Sequence, residues 1–193
     1  MNLTLNLLSG LLTLIANIPY IISILKGKTK PNRATWWIWC GVDLILAFTY
    51  QETGATAALG LAYGSLLGVL IIAVLSLRYG VQGMTTLDYV CLLSAIGTAV
   101  LWLTTSSPFL PHFLIVCIDF FGWLPTFQKT LNDPGSEEPL AWMLWVCGAF
   151  VALLNIDLFT FWNMFFPLYI VISDGTIAVL TTRYRYRLRR SAH

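Results

Sequence analysis

Two stretches of this chain decide its fold. Residues 17–39 read NIPYIISILKGKTKPNRATWWIW, and residues 123–145 read WLPTFQKTLNDPGSEEPLAWMLW. Aligned without a gap, at an offset of 106 residues, they share a proline, a leucine and two tryptophans (Pro19 with Pro125, Leu25 with Leu131, Trp36 with Trp142, Trp39 with Trp145). Farther along, IAVLSLRY at 72–79 matches IAVLTTRY at 177–184 after a one-residue slip. The chain therefore contains an internal repeat.

The composition around these stretches is typical of a membrane protein. Of 193 residues, 58% are hydrophobic and 10% charged, against about 25% charged in a soluble domain, and the mean hydropathy is +0.76. This balance excludes a disordered chain, a disulfide-stapled scaffold and a water-soluble nucleic-acid binder. The four cysteines lie in apolar segments without a CxxC pair, so we predict no metal site and no cofactor.

Seven apolar stretches predict an all-α polytopic membrane protein, since one crossing takes about 20 residues. The basic residues fall only in loops 1–2, 3–4 and 5–6 and in the tail RYRYRLRR. The positive-inside rule then places the N-terminus outside and the C-terminus in the cytoplasm. The N-terminal stretch lacks the features of a removable signal peptide. The predicted helices cover 3–25, 34–50, 55–77, 87–105, 112–130, 140–158 and 161–182.

The repeat relates helices 1–3 to helices 5–7, with helix 4 between them. Because helix 4 adds one crossing, both triplets have the same orientation, which makes them parallel repeats. The chain then divides into a first three-helix bundle (1–80), a linker helix (81–108) and a second three-helix bundle with a basic tail (109–193).

This 3+1+3 layout resembles the SWEET sugar transporters and the wider PQ-loop superfamily. That family carries a proline, often Pro-Gln, late in the first helix of each triplet. Here the two positions read Pro19-Tyr20 and Pro125-Thr126, so the prolines match and the glutamines do not. The resemblance implies a central cavity, lined partly by the third helix of each triplet, that opens alternately to the two sides.

Proline kinks a helix because it removes one hydrogen bond and clashes with the preceding turn. Pro19 and Pro125 are therefore candidate hinges for a gate, unless they are kinks that do not move. Three carboxylates, Asp43, Asp119 and Asp174, lie near the middle of their predicted spans, without a basic residue at similar depth. Either they are protonated, or they line a wet cavity that accepts a cation. The structural alternative is a neutral carboxyl that hydrogen-bonds a neighbouring helix.

Other polar and aromatic residues are candidates for solute contact. Tyr63 and Tyr169 are a repeat-related pair in helices 3 and 7, and Asn17 and Asn163 could add amide contacts, whereas simple packing is the alternative. The tryptophans after the basic loop and at the matching place in the second half have two interpretations. They form an interfacial belt, or they form a stacking platform for a solute.

We predict a small-solute transporter, either facilitative or proton-coupled, with a site in mid-membrane between two bundles. The solute could be a sugar, an amino acid, a vitamin or an organic cation. The alternative is a non-transporting seven-helix receptor or assembly factor. Enzyme motifs such as HExxH and GxSxG are absent from the sequence, so we predict no enzymatic activity. Short loops suit a bacterial inner membrane, a homo-oligomer is possible, and no nucleic-acid partner is predicted.

Overall fold

The computed structural model describes residues 3–52, 56–104, 110–156 and 161–191, and side chains within 3–45, 65–104, 113–156 and 164–191. In these ranges the chain is all-helical, without a β-strand. Seven α-helices and one short 3-10 helix follow one another: α1 (Leu3–Leu25), α2 (Arg33–Glu52), α3 (Thr56–Tyr79), α4 (Thr86–Thr104), α5 (Leu110–Asn132), the 3-10 helix (Pro134–Ser136), α6 (Pro139–Leu154) and α7 (Phe161–Ser191).

Three helical stretches are long and apolar enough to cross a membrane, which indicates a membrane protein. They are Leu3–Leu25, Thr86–Thr104 and Met164–Ser191. The described parts of two other helices, Ser65–Tyr79 and Pro139–Leu154, are apolar but shorter.

The exposed and buried faces of α1 also indicate contact with lipid. Its outward stripe is apolar, with large side chains that are 40–55% exposed (Leu11, Ile15, Ile18, Ile22). Its inward side carries Asn17, Tyr20 and Ser23, which are buried. A helix of a water-soluble protein has the opposite arrangement, with its apolar stripe inside. The outer surface of α1 therefore suits lipid contact.

The helices of the first and last thirds of the chain pack in the same pattern. In the first third α3 contacts both α1 and α2, and in the last third α7 contacts both α5 and α6. Between the two, α1 contacts α6, and α2 contacts α5. Exchanging α1, α2 and α3 for α5, α6 and α7 leaves these contacts unchanged. Helix α4 has no counterpart in this exchange, and it packs on α5 and α2.

The two long loops meet at one end of the bundle, here called the loop end, formed by residues 26–32 and 133–138. The backbone N–H of Lys30 donates to the carbonyl of Ser136 at 3.0 Å, and these two residues occupy equivalent places in the repeat. The helices that follow also begin alike. The side chain of Asn32 accepts from Thr35 N–H at the start of α2, and that of Glu138 accepts from Leu140 N–H at the start of α6. Each accepts one of the free N–H groups in a helix's first turn.

Two of the predicted helix ends need correction. Helix α7 continues through the basic tail to Ser191 instead of ending at residue 182, because arginine, leucine and tyrosine are compatible with a helix. Helix α6 ends at Leu154 and not at 158, since the N–H of Asn155 bonds the carbonyls of Ala152 and Leu153 in a tighter final turn. The remaining described bounds lie within two residues of the prediction.

Candidate functional site

A cavity of about 270 Å³ lies in the middle of the bundle. Its wall comes from both halves of the repeat, in the region where α1 contacts α6 and α2 contacts α5. The described wall combines carboxylates, indole rings, hydroxyls and apolar groups: Ser9, Thr13, Trp36, Trp39, Val42, Asp43, Ser65, Val69, Asp119, Trp142, Trp145, Ala149, Ala152, Phe166, Pro167, Ile170 and Asp174.

Four indole rings form one part of the wall, and we call Trp36, Trp39, Trp142 and Trp145 the four-tryptophan cluster. Ring centroids are 5.3 Å apart for Trp36–Trp39 and 5.1 Å apart for the repeat-related pair Trp142–Trp145. The crosswise pairs Trp36–Trp145 and Trp39–Trp142 are 5.9 and 6.1 Å apart. Each ring contact thus has a counterpart under the exchange of the two halves.

This cluster corrects the belt interpretation for two of its members. Trp36 and Trp142 are each 1% exposed and belong to the core, whereas a belt residue faces lipid. The neighbouring Trp37 is 41% exposed and faces outward. Successive residues of a helix point about 100° apart, so consecutive tryptophans cannot share one face.

Tyr20 and Glu137 adjoin the four-tryptophan cluster on the side of the loop end. The ring of Tyr20 contacts Trp36 at 4.8 Å and Trp145 at 5.6 Å, measured between centroids. Its hydroxyl donates to Oε1 of Glu137 at 3.1 Å, while the Trp142 indole donates to Oε2 at 2.8 Å. Lys129 Nζ forms an ion pair with the same carboxylate, which is completely buried.

Sequence reasoning missed this buried network, which we call the Glu137 network (Tyr20, Lys129, Glu137 and Trp142). Glu137 has the same side chain as its neighbour Glu138, and both stand in a polar loop. Local sequence therefore carries no signal that distinguishes them. Glu138 pairs instead with Arg185 at 3.0 Å, at the rim of the protein where the arginine side chain is 40% exposed.

The three predicted carboxylates all line the cavity, but their partners differ. Asp43 Oδ2 accepts from the Ser65 hydroxyl at 3.1 Å, and Asp119 Oδ2 accepts from the Tyr169 hydroxyl at 2.9 Å. Asp174 is 8% exposed, and no hydrogen bond or ion pair joins its side chain to the described residues. Asp174 therefore differs from Asp43 and Asp119, which each keep one oxygen unbonded, in having no partner for either carboxylate oxygen among the described residues.

Indole hydrogen bonds fix the helices that carry these acids. Trp39 Nε1 donates to the carbonyl of Asp119 at 3.3 Å and ties α2 to α5. Trp123 Nε1 donates to the carbonyl of Ser173, next to Asp174, at 3.0 Å and ties α5 to α7. In each bond the acceptor is the backbone carbonyl of an acidic residue or of its neighbour. These bonds therefore link the helices at the positions of Asp119 and Asp174.

The remaining predicted site residues are placed less centrally. Asn17 is buried outside the cavity wall, with its amide packed against Gly68 of α3. Tyr169 reaches the cavity only through its hydrogen bond to Asp119. The side chains of Tyr63 and Asn163 lie outside the described residues.

The two predicted hinge prolines lie inside continuous helices, Pro19 in α1 and Pro125 in α5. Pro125 lines a second cavity of about 580 Å³ at the loop end, and neither proline lines the central cavity. A third proline, Pro167 of α7, does line it, and sequence reasoning did not single it out.

Among the described residues, no group of three or more histidine, cysteine or acidic side chains is arranged to hold a metal ion. Comparison of the chain with protein-family models, with curated proteins and with solved structures gives no match. The functional argument therefore depends on the site itself.

Proposed function

We propose that this chain is a small-solute membrane transporter whose site is the central cavity between two three-helix bundles. The observation that carries the proposal is the wall of that cavity, which combines three carboxylates with the four-tryptophan cluster and draws on both halves of the repeat. Mid-membrane sites at the interface of structural repeats are typical of secondary transporters.

The proposed topology has seven crossings in a 3+1+3 arrangement, with α1–α3 and α5–α7 as parallel repeats and α4 as the linker. The repeated helix contacts and the symmetric tryptophan contacts support it. The likeness to the PQ-loop and SWEET-like layout, with Pro19 and Pro125 at matching places, belongs to the same proposal. So does the orientation, with the N-terminus outside and the loop end and arginine-rich tail in the cytoplasm of a bacterial cell.

The Glu137 network supplies the proposed barrier on the loop-end side. Opening a path there requires α1, which carries Tyr20, to separate from α6, which carries Trp142. The two helices approach closely, because Gly148 of α6 lies against Ser9 and Thr13 of α1 and accepts a hydrogen bond from Ser9 at 2.8 Å. Small residues at such an interface let two helices approach closely and slide.

Asp174 is the proposed coupling residue. A carboxylate that is buried, free of protein partners and open to a cavity can exchange a proton or a cation when the cavity changes side. The transporter is then proton-coupled if Asp174 titrates during the cycle, and facilitative if it does not. No enzymatic step is part of the proposal.

Flux into sealed liposomes tests the proposal. The purified full chain is reconstituted, and entry of labelled sugars, amino acids, nucleosides and organic cations is followed with and without a pH gradient. We expect protein-dependent entry of at least one solute class. Asp174→Asn should abolish the effect of the gradient, while Asp133→Asn, an exposed carboxyl in the 133–138 loop, should leave it unchanged.

Absence of flux for every solute, with protein that elutes as a single species and unfolds cooperatively, would contradict the transporter. A ligand that binds without crossing would then favour the receptor alternative. Flux that responds identically to pH in wild type and Asp174→Asn would remove the coupling role and leave facilitated diffusion.

A further inference from the structure

The central cavity has a one-sided charge. Its described wall contains Asp43, Asp119 and Asp174 and no lysine, arginine or histidine. Two basic groups at the loop end are already paired, Lys129 with Glu137 and Arg185 with Glu138. An anionic solute would therefore meet acidic groups and find no basic partner at the described wall.

The hydroxyl groups of the wall are already engaged. Ser9 donates to the carbonyl of Gly148, Thr13 donates to the carbonyl of Ser9, and Ser65 donates to Asp43. A polyhydroxylated solute could donate to the carboxylates, but few donors, such as the buried indole N–H of Trp36, remain free for its own oxygens. Several buried oxygens of a sugar would then lose their hydrogen bonds to water, so the wall suits a solute with fewer hydroxyls better.

Two members of the four-tryptophan cluster, Trp39 and Trp145, are only partly buried and offer the complementary surface for a positive charge. An indole face attracts an ammonium or guanidinium group that lies within about 6 Å of the ring centroid, more strongly than any other aromatic ring does. Such faces do not replace the oxygen ligands that a small metal cation requires. Together with the free carboxylate of Asp174, 8% exposed at the same wall, they favour an organic cation over a metal ion.

The volume limits the size of the solute. At about 270 Å³, the cavity is smaller than the roughly 300–1,000 Å³ of pockets that hold drug-sized ligands. A compact solute fits, with a cationic head and a short apolar body.

We propose that the central cavity binds a small organic monocation, whose charged head lies against Asp174 and whose apolar body packs on Trp39 and Trp145. This inference takes its cellular setting from the transporter proposed above, but it concerns binding and is tested without transport. Asp43 and Asp119, held by Ser65 and Tyr169, add negative potential and leave Asp174 as the direct partner of the head.

Calorimetric titration of the full chain in detergent tests it, with choline as the probe. The matched ligand is the neutral carbon isostere of choline, in which a carbon atom replaces the quaternary nitrogen, and glycine betaine adds a carboxylate to the same head. We expect choline to bind at one site per chain. Both comparison ligands should bind at least about tenfold more weakly, which corresponds to about 1.4 kcal/mol.

Two variants and two matched controls locate the site. Asp174→Asn should weaken choline binding by about tenfold or more, because a charged partner is lost. Trp145→Leu should weaken it by about fivefold or more, because cation–π contacts are lost. The controls Asp133→Asn and Trp37→Leu, both at exposed positions, should stay within about twofold of wild type. Melting temperatures identify a variant that does not fold. The comparison of choline with its two analogues uses the wild-type chain and tests the inference even if a variant misfolds.

Three results would overturn the inference. The first is equal binding of choline and its carbon isostere, and the second is the failure of folded protein to bind any of choline, tetramethylammonium and guanidinium. The third is displacement of choline by equimolar sodium. Flux of neutral solutes without choline binding would contradict the cation preference and leave the transporter intact. Choline binding without flux of any solute would contradict the transporter and leave the binding site intact.

Discussion

Replacing Glu137 by alanine removes the one acceptor on which three donors converge. The Tyr20 hydroxyl and the Trp142 indole would lose bonds of 3.1 and 2.8 Å, and the Lys129 ammonium would lose its ion pair. Lys129 is only 10% exposed, so its charge would remain largely buried, with the Lys30 carbonyl at 2.6 Å as the remaining acceptor. The chain would then be left with an uncompensated charge at the loop end.

The expected cost follows from that burial. Removing one member of a buried ion pair costs about 3–5 kcal/mol. For a chain of this size, 1 kcal/mol shifts the melting temperature by about 2–4 °C. We therefore expect Glu137→Ala to melt about 6–20 °C below wild type, as followed by circular dichroism in one detergent. Asp133→Asn, in the same loop but exposed, should melt within about 2 °C of wild type, because exposed substitutions rarely exceed 0.5 kcal/mol.

A double variant separates the charge from the packing. Glu137→Gln with Lys129→Met removes both charges and retains an amide oxygen for Tyr20 or Trp142. Neutral replacement of a whole buried pair is often tolerated, so the double variant should recover at least half of the loss seen for Glu137→Ala. Melting of Glu137→Ala within about 2 °C of wild type would refute the reasoning, since it would mean that the Glu137 network does not stabilise the folded protein.

Gly68→Ala would place a Cβ 2.6 Å from Asn17 Nδ2, so overpacking should cost about 1–3 kcal/mol of stability and lower the melting temperature. Adding Asn17→Ala should restore the melting temperature, and a double variant that melts as low as Gly68→Ala would contradict the contact. Tyr169→Phe removes the 2.9 Å hydroxyl bond to Asp119 and leaves a buried acceptor without this donor. The free energy of unfolding should then fall by about 1–3 kcal/mol, and an unchanged thermal melt would contradict that bond. Arg185→Ala breaks a half-exposed pair worth about 0–1 kcal/mol, so thermal melts should barely change; a loss above 3 kcal/mol would contradict this.

The helices could be predicted because each one contains a long apolar segment that local hydropathy reveals. The described bounds of α1 agree with the prediction at both ends, and the part of the chain that the structure describes contains seven α-helices. The end of α7 could not be predicted from hydropathy, because the helix continues after the apolar residues stop, through RYRYRLRR to Ser191. Hydropathy shows where an apolar segment ends, whereas the end of a helix depends on its backbone hydrogen bonds.

The candidate site was predicted in part. Asp43, Asp119 and Asp174 were found because an acidic residue in an apolar helix is unusual whatever surrounds it. Asn17 was predicted as a polar residue in an apolar helix but faces Gly68 instead of the cavity, since depth along a helix does not fix the direction in which a side chain points. Glu137 was missed for the opposite reason, because a loop glutamate looks ordinary until other segments bury it.

The sequence by itself determined the helical class, the apolar segments and the repeat that pairs Trp36 with Trp142 and Trp39 with Trp145. Those features depend on local composition and spacing, which any single segment carries. Only the tertiary structure decided that the four tryptophans meet, that Asp174 has no partner among the described residues, and that Tyr20 and Lys129 converge on Glu137. Each of these depends on side chains from distant segments, and their contacts exist only once the helices have packed against one another.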